Sequence, residues 1–113
     1  MHERGKIIMS KYYHGTSYTN LFKIIDDKKI KTGIDGIVYL AKSKVDAFKF
    51  VALRYMTEDI VVIEIELDDN NIIETFDHSQ TFFKARAYGY KGDISTDKVT
   101  NCWKYPIEER FKV

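Results

Sequence analysis

The chain of 113 residues is poor in several things at once. It has a single cysteine, Cys102, so it can form no internal disulfide and no multi-cysteine zinc site. It has a single proline, Pro106, and no Gly/Ser-rich or low-complexity stretch, so nothing punctuates it into two domains. No repeat is present, and no apolar run approaches the roughly 20 residues that a membrane helix needs. The N-terminus has no apolar segment of signal-peptide type, so a soluble cytoplasmic protein that needs no membrane is expected. No surplus of one charge exists either: 18 Lys and Arg face 17 Asp and Glu, and the signs alternate. That balance argues against a broad basic face for duplex DNA, although a local groove stays open. Glycine-rich loops of the P-loop or dinucleotide type are missing as well.

What is present points to an ordered core. Hydrophobic residues make up 44% and aromatic residues 14%, with eight Tyr and seven Phe, which argues against disorder. The length suits one domain, residues 1–113, with residues 1–10 as a loose lead-in and a short strand over 6–9.

Periodicity supplies the elements. Residues 11–14 read as a strand that Gly15 ends. Thr16, Ser17 and Thr19 then offer N-caps, and Leu21, Ile24 and Ile25 repeat at helical spacing, which predicts a helix over 18–28. Gly33 and Gly36 bracket a turn, and IVYLA (37–41) has the apolar density of a buried strand. SKVD (43–46) is a capping-box pattern. Val45, Phe48, Val51, Ala52 and Tyr55 form one apolar stripe, so a second helix is expected over 44–55. IVVIEIEL (60–67) is the surest strand. Beyond it come a short strand over 72–75, a polar loop over 77–80, aromatic strand-like residues over 82–90 and a last strand over 97–105. Helices early and strands late make an α+β fold, not a doubly wound parallel sheet.

His14 and Tyr39 stand out as candidates for chemistry. Each has a plain structural reading: His14 as a turn residue bonded to backbone or water, and Tyr39 as a core residue with its hydroxyl satisfied. Cys102 reads as a packed residue beside Trp103, and no metal is expected, because His14 and His78 share no ligand spacing with a carboxylate.

Taken in order, HGTS (14–17), VYLA (38–41), DAFKFVALRY (46–55) and VVIEIEL (61–67) resemble the ADP-ribosyltransferase superfamily. The likeness is to the branch whose first motif is His-Gly-[Ser/Thr] and whose second is a Tyr on a following strand, with RNA 2′-phosphotransferases and poly(ADP-ribose) polymerases among its members. It spans roughly residues 11–100. The resemblance implies two small β-sheets packed around a ligand cleft, helices in the N-terminal half, and NAD as co-substrate. It also implies roles. His14 would hydrogen-bond the adenosine ribose. The Gly15 backbone would meet the nicotinamide carboxamide. Thr16 and Ser17 would assist with ribose or phosphate, Tyr39 would stack on nicotinamide, and Ser43 would be a polar pocket residue.

The third motif of the family, a Glu on a late strand, has no counterpart in KARAYGY (84–90), where Arg86 or Ala87 takes its place. Three readings stay open. A side chain before that strand supplies the role, with Asp77 and Gln80 ahead of Glu74. Or the chemistry is of the 2′-phosphotransferase kind, with Arg86 as the matching arginine. Or the fold binds without catalysis. Against the second, the winged-helix region of that family is missing, and Tyr18 stands where its arginine follows the HGT motif. The expected function is therefore an NAD-dependent mono-ADP-ribosyltransferase that modifies a protein or nucleic-acid acceptor. The small size and Lys/Ile/Asn-rich composition are compatible with a phage or mobile-element effector acting in the host cytoplasm.

Overall fold

Strand β4 (Ile60–Asp68) explains most of the architecture. In a computed structural model, which describes residues 6–75 and 87–110, both faces of this strand are covered. Val61, Ile63, Ile65 and Leu67 enter one core on one side, and Ile60 and Val62 enter a second core on the other. A strand with two covered faces needs apolar residues at successive positions, hence the unbroken IVVI. Each such side chain stabilises the fold by about 1.5–3 kcal/mol when fully buried.

β4 is the centre of a three-stranded antiparallel sheet, flanked by β1 (Met9–Ser17) and β8 (Val99–Tyr105). A second antiparallel sheet has the order β3-β6-β5, from Ile37–Leu40, Ala87–Lys91 and Ile72–Thr75. A two-residue ribbon pairs β2 (Lys29–Ile30) with β7 (Ile94–Ser95) and places Ile30 and Ile94 in the larger core. The larger core lies between the first sheet and the Val38 and Leu40 face of the second. Helix α1 (Tyr18–Asp27) closes it with Ile24, Leu21 and Tyr18. Helix α2 (Lys44–Ala52) covers the opposite face of the first sheet, with Ala47 against Ala41, Ile60 and Val62. A short helix, α3 (Ile107–Arg110), follows β8.

The α+β class, the small antiparallel sheets and the two principal helices in the first half agree with expectation. Four details differ. Among the described residues there are three sheets, not two, because the β2–β7 ribbon is too short to leave a periodic signal. The second half also carries the short α3. The first strand is longer at both ends than expected: it begins at Met9, taking in the end of the expected lead-in, with no separate strand over 6–9, and it does not end at Gly15 but stays paired with β4 through Ser17↔Ile60. Cys102 is exposed, not packed, because β8 is an edge strand of its sheet. The expected polar loop over 77–80 and the first residues of the expected strand over 82–90 lie outside the described residues.

Gly15 is required for another reason. A Cβ there would lie 2.4 Å from the carbonyl oxygen of Ala47 and 2.9 Å from a Val51 methyl. Glycine lets α2 rest directly on the strand, as a close backbone approach demands. Since the nearer obstacle is main chain, Gly15→Ala is expected to destabilise the protein by about 1–3 kcal/mol, read as a lower urea midpoint; an unchanged midpoint would mean that α2 does not press on the strand.

Candidate functional site

The end of β1 lies at the foot of a cavity of about 930 Å³, near the upper end of the size range of small-molecule sites. Its two helix walls follow from spacing. On α1, Asn20, Lys23, Ile24 and Asp27 recur at the helical period and face it. On the α2 side, Ala47, Phe50, Val51 and Arg54 do the same. The turn before β3 contributes Gly33, Ile34 and Asp35, and β3 contributes Tyr39.

His14 and Tyr39 meet here. An isolated antiparallel bridge between Tyr13 and Ala41 brings β1 alongside the end of β3. His14 Nδ1 then lies 2.8 Å from the Tyr39 carbonyl oxygen. A carbonyl only accepts, so Nδ1 carries the proton, and a neutral ring presents Nε2 as an acceptor. Burial holds the imidazole below its ordinary pKa; the Tyr39 carbonyl opposes this and the Arg54 cation adds to it. His14 is therefore neutral at pH 7.

The Tyr39 hydroxyl donates a short hydrogen bond to Asp35 Oδ2. Asp35 Oδ1 accepts the Ile37 amide at 3.1 Å. These two bonds, the Tyr39 hydroxyl first, hold the Asp35 carboxyl below the usual carboxylate range. Asp27 pairs with Lys31 at 3.2 Å, and Lys29 with Asp93 at 3.7 Å. Both pairs are partly exposed and contribute little to stability.

The other candidates separate. Gly15 and Thr16 line the cavity with His14. Thr16 is buried, and its Oγ1 accepts from Asn20 Nδ2 at 2.9 Å. Ser17 is the N-cap of α1, accepting the Asn20 amide at 3.1 Å, and Ser43 is the N-cap of α2, accepting the Asp46 amide at 3.1 Å. Neither serine is among the residues lining the cavity; both have the structural work of satisfying a helix end. Asp77, Gln80 and Arg86 lie outside the described residues. Glu74 is on β5, opposite Tyr88. Sequence reasoning missed Asn20, Lys23, Asp35 and Arg54. The first two were legible as the face of α1 that contains Ile24; Asp35 sits in a glycine-bounded turn, where an aspartate carries no distinguishing signal.

Among the described residues, no helix is long and apolar enough to cross a membrane. Nor does any group of three or more His, Cys, Asp or Glu among them form a possible metal site.

No family model matches the chain, and no curated protein does so either. Among solved structures it is similar to protein CC0527 from Caulobacter crescentus, with a TM-score of 0.64 over 84% of this chain and 85% of that one. The two share 13% sequence identity, so the likeness is one of fold.

The neutral His14 has a measurable consequence. With its folded pKa lowered, the unfolded chain binds more protons in the window just below the ordinary histidine value of about 6.5. This contribution is complete above that value and is lost as pH falls toward the folded pKa. Stability of the wild type should thus decline as pH falls below about 6.5, and His14→Gln should flatten that decline. Denaturation midpoints across this range check it, with the His14 ring protons titrating below the ordinary range by NMR.

Proposed function

We propose that the cavity binds NAD and that the protein is a mono-ADP-ribosyltransferase acting on a macromolecular acceptor, a protein or a nucleic acid. One observation carries the reading: His14 and Tyr39, 25 positions apart, share a hydrogen bond and line one cavity. Their motif order in the sequence is the order in which a strand end and a following strand would embrace a dinucleotide. Nε2 of a neutral His14 is an acceptor for a ribose hydroxyl. The Tyr39 ring offers a flat face to nicotinamide. Lys23 and Arg54, one from each helix wall, supply positive charge for phosphates.

The reaction breaks the glycosidic bond between ribose C1′ and the nicotinamide nitrogen. The electron pair leaves with neutral nicotinamide, and ribose passes through an oxocarbenium-like state. An acceptor nucleophile then bonds C1′ and releases its proton. Holding the leaving group and the ribose in fixed relation is the protein's main contribution, and negative charge near C1′ stabilises the cationic state.

A second reading, a binding module without turnover, is favoured by one feature. The residue directly across from Tyr39 on β6 is Gly89, and β6 (AYGYK) contains no carboxylate. The transferase therefore needs its acidic group from elsewhere. If Asp77 provides it, Asp77→Ala costs about a hundredfold in turnover with little change in NAD affinity. Loss of turnover on Arg86→Ala instead would favour 2′-phosphotransferase-like chemistry.

Calorimetry with NAD and ADP-ribose, followed by an assay of nicotinamide release, separates the readings. Both ligands should bind the wild type, and His14→Ala should weaken both by about tenfold, the worth of one hydrogen bond. Nicotinamide release that Tyr39→Ala abolishes supports the transferase. Binding without release supports the module, and a wild type that binds neither ligand removes both.

A further inference from the structure

The cavity has a polarity that the NAD reading does not use. Among the described residues two carboxylates line it, Asp27 and Asp35, beside four cations, Lys23, Lys29, Lys31 and Arg54. Asp27 is already neutralised by Lys31 at 3.2 Å. Asp35 is engaged differently: both its oxygens accept hydrogen bonds from uncharged donors, the Tyr39 hydroxyl and the Ile37 amide. Such bonds fix a carboxylate in place without cancelling its charge. The turn that carries it is closed by the Gly36 amide donating to the Gly33 carbonyl at 3.0 Å, with Gly36 at φ +75, a conformation that favours glycine. The negative charge is thus built into the wall and coupled through a hydroxyl to an aromatic ring.

We infer that the Asp35–Tyr39 pair is a local anionic spot in a cavity lined mainly by cations, and selects a ligand ring that carries positive charge, the oxidised pyridinium over the neutral dihydropyridine. A phenol that donates to a carboxylate has a more electron-rich ring, and a cation over such a face is held by the ring quadrupole together with the carboxylate at the hydroxyl edge. Asp35 is exposed in the open cavity, where water screens it. A ligand lying over Tyr39 displaces that water, so the attraction grows on binding. Because Asp35 ionises well below neutral pH, the charge is present under ordinary conditions. The same pair would face positive charge as it moves from the pyridinium to the ribose, which makes Asp35 a positioning and electrostatic residue acting through Tyr39.

The inference rests on the NAD reading, and binding alone tests it, with no need for turnover. Dissociation constants are measured for NAD, NADH and ADP-ribose on the full chain and on Asp35→Asn, Asp35→Glu and Tyr39→Phe. The wild type is expected to favour NAD over NADH by about tenfold, the scale of a cation–π contact with a supporting charge. Asp35→Asn and Tyr39→Phe, which keep an aromatic face but lose the support of the carboxylate, should cut that ratio to about twofold, Asp35→Glu should retain more of it, and ADP-ribose, which has no such ring, should keep its affinity throughout. A wild type without preference, or a preference undiminished in Asp35→Asn, overturns the inference while leaving the NAD reading in place. A wild type that binds none of the three ligands overturns both.

Discussion

Two hydrogen bonds hold the candidate site together: the Tyr13 amide to the Ala41 carbonyl at 2.9 Å and the Ala41 amide to the Tyr13 carbonyl at 2.8 Å. They are the whole of an isolated bridge, yet they tie the sheet built on β4 to the sheet built on β3. Among the described residues the His14–Tyr39 hydrogen bond and side-chain packing also join the two sheets, but a paired backbone fixes distance more sharply than either. The bridge sets Tyr13 level with Ala41, and from there alternation along both strands does the rest. The residue after Tyr13 and the residue two before Ala41 come into contact, and these are His14 and Tyr39.

Burial then decides the chemistry of each member. Half-buried among its neighbours, the imidazole is disfavoured in its charged form, so His14 acts as a hydrogen-bonding group and not as a cation. Asp35, at the exposed end of the same strand's approach, keeps its charge because two donors point at it. A neutral acceptor from β1 and a fixed anion from the turn before β3 thus face one cavity. Glu64 shows the same logic in a purely structural setting. It is buried in the central strand, and Thr100, Tyr13 and Lys11 hold it charged.

Much of this was legible in the sequence where a local rule had no competitor. The helix beginning at Tyr18 and the helix beginning at Lys44 start where their caps say, because Ser17 and Ser43 each satisfy a first-turn amide. Strand β4 was read to within a residue of its end, because a run covered on both faces leaves a strong signal. The misreadings share a cause. Gly15-Thr16-Ser17 has turn composition, but the tertiary contact with α2 wanted a residue without a side chain inside a strand, and composition cannot distinguish the two uses of glycine. The β2–β7 ribbon is held by Ile30 and Ile94 entering a distant core, which no window of neighbouring residues records. Of the candidate site, His14 and Tyr39 were visible as motif members, whereas Asp35 becomes meaningful only once the Tyr39 hydroxyl reaches it.

The register of β1 also sets what changes of length this protein can tolerate. Strand β1 runs into α1 with no connecting residue, since Ser17 is both the last strand position and the helix cap. Facing of a strand residue alternates strictly, so one residue inserted or deleted between Met9 and His14 would rotate every following side chain to the other face of the sheet. An insertion would bring His14 to the place of Gly15, with its Cβ at the carbonyl of Ala47, where only hydrogen fits. Length variation among descendants of this chain should accordingly fall outside β1, in segments such as the turn before β3, where no backbone presses from behind and added residues alter the shape of the cavity mouth without moving its floor.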